Sequence, residues 1–160
     1  MRASKILSVL VDNKPGTLFR VTHLVRLMRL NIEGLTLGVT NGGDTCRMTF
    51  TLNGDDRTVE HVARQLMKVI DVIEAHTYGP QEVTARELAL VSMKKFDPTQ
   101  FGEEERQRLN VVDRSANGVV VQVVGSAGEI DEFVRRAGES NVIDIARTGV
   151  AALPRENQNV

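Results

Sequence analysis

The residues best placed to do chemistry are Asn13-Lys14-Pro15-Gly16-Thr17-Leu18, and the chemistry is holding an anion rather than breaking a bond. The segment sets a Pro-Gly turn at the start of a helix. The first N–H groups of a helix lack intrahelical partners and carry the positive end of its dipole, so a carboxylate can dock there. Gly16 removes the Cβ that would stand in a ligand's way. On local spacing alone, a plain strand-to-helix turn is still the better account. Asn31 follows the same helix, where Asn serves most often as a helix stop. Its amide can also donate to a carboxylate while accepting from an ammonium, which suits a zwitterion.

Other motifs carry less. Val121-Gln122-Val123-Val124-Gly125-Ser126-Ala127-Gly128 has a strand–glycine–helix form but neither the G-x-G-x-x-G spacing nor the P-loop lysine, so Ser126 reads as a helix cap. An enzyme using this turn for nucleotides is the competing class, and binding of ATP or NAD would mark it. His23, His61 and His76 lie far apart, without metal-ligand spacing, so no metal is expected. Glu103-Glu104-Glu105 reads as a solvated helix start. No Ser/His/Asp arrangement or carboxylate pair stands out, and no catalytic residues are assigned.

Strand and helix patterns supply the frame. Lys5–Val11 is a β-branched run stopped by D-N-K-P-G, and from Thr17 the period turns helical, with Leu18, Val21, Val25 and Met28 on one stripe. Asn31–Thr40 and Cys46–Leu52 form a hairpin about N-G-G-D. Val59, Val62, Leu66 and Ile70 mark a second helix capped near Asp56, and 71–77 alternates as a strand. That order, β-α-β-β-α-β, is the ferredoxin-like unit. It is expected again after a linker: a strand over 88–94, a short charged helix over 103–109, a hairpin of 111–114 with 119–125, a helix over 130–137 and a strand over 142–146. The expected domains are 1–78 and 87–160, joined by 79–86. The fold class is therefore α+β, with two ferredoxin-like βαββαβ domains. Units this small bury only about 60% of their unfolded surface, so self-association would help them.

The chain has 160 residues, 41% hydrophobic and 26% charged, with a formal net charge of -1. The charges are mixed, and one Tyr and five Phe are few for stacking bases, so nucleic acid is a poor partner. Met-Arg-Ala-Ser-Lys leads straight into the first strand, with no long apolar stretch or cleavage site, so neither secretion nor a membrane is expected. Cys46, the lone cysteine, reads as a small hydrophobe in a reducing, cytoplasmic setting.

Several stretches together resemble the small subunit of acetolactate (acetohydroxyacid) synthase, whose N-terminal half is an ACT domain. They are Ile6–Asn13, Pro15–Val21, Asn31–Gly38, Arg47–Thr49, Gln65–Val72 and Arg86–Val91. Above all there is Ile145-Ala146-Arg147-Thr148-Gly149-Val150-Ala151-Ala152-Leu153, a run specific to that family. The resemblance spans nearly the whole chain. It implies a subunit with no active site, which binds and stimulates a catalytic large subunit holding thiamine diphosphate, Mg and FAD. It further implies feedback inhibition, usually by valine, at an ACT homodimer interface. Asn13, Gly16, Thr17 and Leu18 of one protomer would face Asn31 and Ile32 of the other. Met28-Arg29-Leu30-Asn31 replaces the glycine usual before the second strand, and Gly34 and Ser92 stand where serine and lysine are common. These departures leave open a free-standing or divergent ACT-domain regulator without a valine response.

Overall fold

A computed structural model describes residues 5–155. Residues 1–4 and 156–160, including most of the N-terminal stretch read as free of a leader, lie outside the described residues. The chain forms two compact units, one running to Ala85 and resuming at Val150, the other Arg86–Gly149.

In the first unit the order is β1 (Lys5–Asp12), α1 (Thr17–Leu27), β2 (Asn31–Thr40), β3 (Thr45–Asn53), α2 (Asp56–Leu66) and β4 (Val72–Tyr78). The sheet runs β2-β3-β1-β4 with every neighbour antiparallel. Alternation along β1 sends Leu7, Val9 and Val11 to one face, opposite Phe50, Met48 and Cys46 of β3. Val21 and Val25 of α1 and Val59, Val62 and Leu66 of α2 close this core. Cys46 is buried there, and burial pushes its thiol pKa up, as suits a small hydrophobe rather than a reactive group.

Some local expectations shift: Ile70, read as part of the second helix, lies past the end of α2 and is exposed. Leu18, placed on the core stripe, is 42% exposed, while Thr17 is buried one position earlier. Asp55, not Asp56, caps α2, accepting from the N–H of Thr58 at 2.9 Å. Asp56 pairs instead with Lys5 at 2.8 Å. The turn after α1 keeps a left-handed residue without a glycine: Arg29 has φ +56. That conformation crowds a Cβ against the following carbonyl at about 1–2 kcal/mol, whereas glycine costs unfolded-state entropy of about 0.4–1 kcal/mol. Arg29→Gly is therefore expected to stabilise the chain by about 1 kcal/mol, read as a higher melting temperature. An unchanged or lower one would contradict this.

The second unit repeats the plan with β5 (Val83–Met93), α3 (Glu103–Arg106), β6 (Leu109–Ser115), β7 (Gly118–Gly125), α4 (Ala127–Ala137) and β8 (Val142–Arg147), in sheet order β6-β7-β5-β8. Its first helix is a single turn rather than the expected 103–109, because Leu109 already belongs to β6. Aromatic rings help fill the space: Phe101 stacks on Phe133 at 5.0 Å and on Phe96 at 6.0 Å, with the Arg136 guanidinium 4.9 Å above Phe101. α4 opens with a capping box, Ser126 Oγ accepting from Glu129 N–H and Glu129 accepting from Ser126 N–H.

The stretch read as a linker is partly strand, since β5 begins at Val83. A last strand, β9 (Ala151–Pro154), pairs with β5, which starts in the first unit, and the chain's end groups with that unit. Val150 and Ala152 bury against Ile6, Val83 and Tyr78. No described helix is long and apolar enough to cross a membrane.

Candidate functional site

The turn between β1 and α1 is held on all sides. Asn13 donates its backbone N–H to Asp44 O and its side-chain amide to Gly43 O, both at 2.9 Å, which ties the turn to the β2–β3 connection. Lys14 N–H bonds to Asp12 O at 2.9 Å, and Thr17 N–H to Lys14 O at 3.2 Å. Gly16 is the N-cap with φ +84, the left-handed region that a glycine takes without penalty. It has no side chain to cap the helix, so beyond Thr17 N–H, which Lys14 O takes, the opening turn of α1 has no side-chain cap.

Charge gathers at this helix start. A Cβ on Gly16 would lie 3.2 Å from Arg20 Nη1, so the missing side chain leaves room for the Arg20 guanidinium. Arg20 Nη2 donates to Thr17 Oγ1 at 3.3 Å and to the carboxylate of Asp71, a residue only 6% exposed. Lys14 Nζ lies 2.5 Å from Asp12 Oδ2 and 3.9 Å from Asp71 Oδ1. The hydrogen bond to Asp12 leads the causes that raise the Lys14 pKa, so this ammonium stays charged. Arg20 and Asp71 escaped sequence reasoning. Arg20 is simply off the apolar stripe, and Asp71 comes from the α2–β4 connection, 51 residues away.

Asn31 and Ile32 open β2, opposite Asn53 and Leu52 of β3. They line an open groove of about 400 Å³ with Phe19, His23, Arg26 and Leu30, where Phe19 stacks on His23 at 5.7 Å. The structure thus brings Asn13, Gly16, Thr17 and Leu18 together at the start of α1 and sets Asn31 and Ile32 just past its end. An eleven-residue helix is about 16 Å long, far more than a small amino acid spans.

The Gly125–Gly128 turn offers no open phosphate cradle. Glu129 Oε2 already takes Ser126 N–H at 2.7 Å and lies 3.0 Å from Ser126 Oγ. Among the described residues no three His, Cys, Asp or Glu side chains converge as a metal site would need.

Two family models match in tandem, "AHAS small subunit-like ACT domain" over residues 7–74 and "Small subunit of acetolactate synthase" over 86–156. The probable acetolactate synthase small subunit of Archaeoglobus fulgidus is 36% identical over 156 residues, 95% of this chain and 97% of that one. The chain belongs to the acetolactate synthase small-subunit family. Two further members show the same span: the small subunit of Bacillus subtilis, at 34% over 96% of this chain and 92% of its own, and the isozyme 3 small subunit of Escherichia coli, at 32% over 94% and 95%. The crystal structure of the Thermotoga maritima small subunit superposes with a TM-score of 0.81 at 28% identity, covering 96% of this chain and 98% of that one. Family membership fits the doubled βαββαβ order.

Proposed function

We propose that the chain is the regulatory subunit of acetolactate synthase in branched-chain amino-acid biosynthesis. It stimulates the thiamine-diphosphate-dependent catalytic subunit and confers feedback inhibition by valine, without catalysing or binding thiamine diphosphate, Mg or FAD itself. The setting is cytoplasmic.

The observation that carries the effector reading is the separation of the two half-sites along α1. One chain cannot close both on a single amino acid, but two chains related by a two-fold axis can, because the axis reverses one α1 relative to the other. The edge strand suits that pairing. Among the described residues β2 pairs with β3 alone, and Leu37 and Val39, opposite core residues Met48 and Cys46, remain exposed. A second copy's β2 would satisfy the open edge and cover these side chains. Valine would then lie with its carboxylate at one α1 start and its ammonium near the other protomer's Asn31, stabilising whichever packing offers both. Val39→Lys is expected to shift the chain toward monomer by light scattering and to weaken valine binding in parallel. A monomer with full valine affinity would contradict the shared site.

The direct test is reconstitution. Adding the chain to its catalytic subunit should raise acetolactate formation to a plateau, and valine should lower it. No stimulation at any ratio would overturn the role as activator, and stimulation without inhibition by any branched-chain amino acid would overturn the effector reading.

A further inference from the structure

The start of α1 already holds one carboxylate, and it is the chain's own. Asp71 reaches the opening turn from the α2–β4 connection, its side chain 8% exposed, and meets Arg20 there. Its backbone carbonyl accepts the N–H of Asp12 at 2.9 Å, so its place beside the turn is fixed by main chain as well as charge. Among the described residues Arg20 turns Nη2 to Asp71 and Thr17, while Nη1 stands over Gly16. The Arg20 side chain is 43% exposed, so a ligand arriving at the turn can reach it. A guanidinium presents a planar fork able to grip a carboxylate through two nitrogens, and here half of that fork faces the turn. Asp12, Asp71, Lys14 and Arg20 sum to zero charge, so the cations at the turn are neutralised by the chain's own acids.

We propose that Arg20 reads the carboxylate of the effector and that Asp71 is the internal counter-ion with which that carboxylate competes. The proposal rests on the reading of the α1 start as the effector turn and adds how that turn is tuned. Asp71 holds Arg20 in position and weakens its attraction for an incoming anion. Removing the Asp71 charge should therefore tighten effector binding while loosening the fold. A merely structural ion pair would not move the two readouts in opposite directions.

The experiment is calorimetric titration of the full chain with valine at two ionic strengths, beside thermal melting. Asp71→Asn keeps the shape and an acceptor for Arg20. It should lower the valine Kd by about three- to tenfold at low salt, less at high salt, and lower the melting temperature. Arg20→Met should raise Kd by about tenfold or more, and Arg20→Lys should recover part of that loss as a point charge. Valine affinity unchanged or weaker in folded Asp71→Asn overturns the proposal and leaves the effector turn standing. So does an unchanged affinity in Arg20→Met, which decides the matter if Asp71→Asn does not fold. Wild-type chain that binds no branched-chain amino acid overturns the effector turn and this proposal together.

Discussion

Gly16→Asp is expected to abolish the valine response while leaving most stimulation of the catalytic subunit. The new carboxylate would stand at the α1 start, where the proposed site would put the effector carboxylate. Two like charges 4 Å apart repel by about 4 kcal/mol at an effective dielectric near 20, and each 1.4 kcal/mol is about tenfold in affinity. Arg20, 3.2 Å from the new Cβ, would pair with the aspartate and offset part of that repulsion while leaving the effector without its cation. A fall in affinity of about 100-fold follows. The fold also suffers, because Gly16 has φ +84. A side chain in that region costs about 1–2 kcal/mol, only partly offset by the 0.3–1 kcal/mol, roughly, that an acidic residue gains at a helix start. Gly16→Ala carries the same backbone strain without the charge. Valine titration and melting of both variants separate the two effects, and equal valine affinity in Gly16→Asp and Gly16→Ala would show that charge at this turn is irrelevant.

Arg147→Ala should have the largest effect on the second unit. Arg147 Nε and Nη2 grip Glu87 at 3.0 and 2.7 Å, and Nη1 reaches Asp131 at 2.7 Å. The Glu87 side chain is 5% exposed, so truncating Arg147 strands a buried carboxylate. Breaking a buried pair from one side costs about 3–5 kcal/mol, less where water reaches the partner, as it does at the 31%-exposed Arg147. For a unit of this size each kcal/mol moves the melting temperature by about 4–8 °C. An early melting transition and lost stimulation are expected, with valine binding at the first unit nearly intact. Paired replacement, Glu87→Leu with Arg147→Leu, should recover much of the stability. An unshifted melt in Arg147→Ala would show that water, not Arg147, satisfies Glu87.

Much of this was legible in the chain. Alternation in Lys5–Val11, helical spacing of Val21 and Val25, and the glycine-rich hairpins set the βαββαβ order twice, because each element writes its own period. The caps were legible to within a residue, as at Asp55. What escaped depends on distant residues. Glu103–Arg108 has helix-forming composition but no apolar stripe, so only one turn persists and Phe101 packs on Phe133 instead. β9 forms because Val150 and Ala152 find Ile6 and Val83, partners that no local pattern announces. At the candidate site the Pro-Gly turn and Asn31 stood out as residue types, while Leu18 was placed in the core and proved exposed. The Arg20–Asp71 pair was invisible, since a charge off the stripe and a charge before a strand are ordinary wherever they occur.

The most direct test of the shared effector site is complementation in mixed dimers. Gly16→Asp and Asn31→Ala chains, each unable to bind valine alone, are unfolded together, refolded as a mixture and titrated with valine. A mixed dimer rebuilds one intact site from the Gly16 of one chain and the Asn31 of the other, so the account predicts valine binding near wild-type affinity at about one quarter of the wild-type number of sites. No recovered binding in a mixture shown to contain mixed dimers would contradict a site built by two protomers.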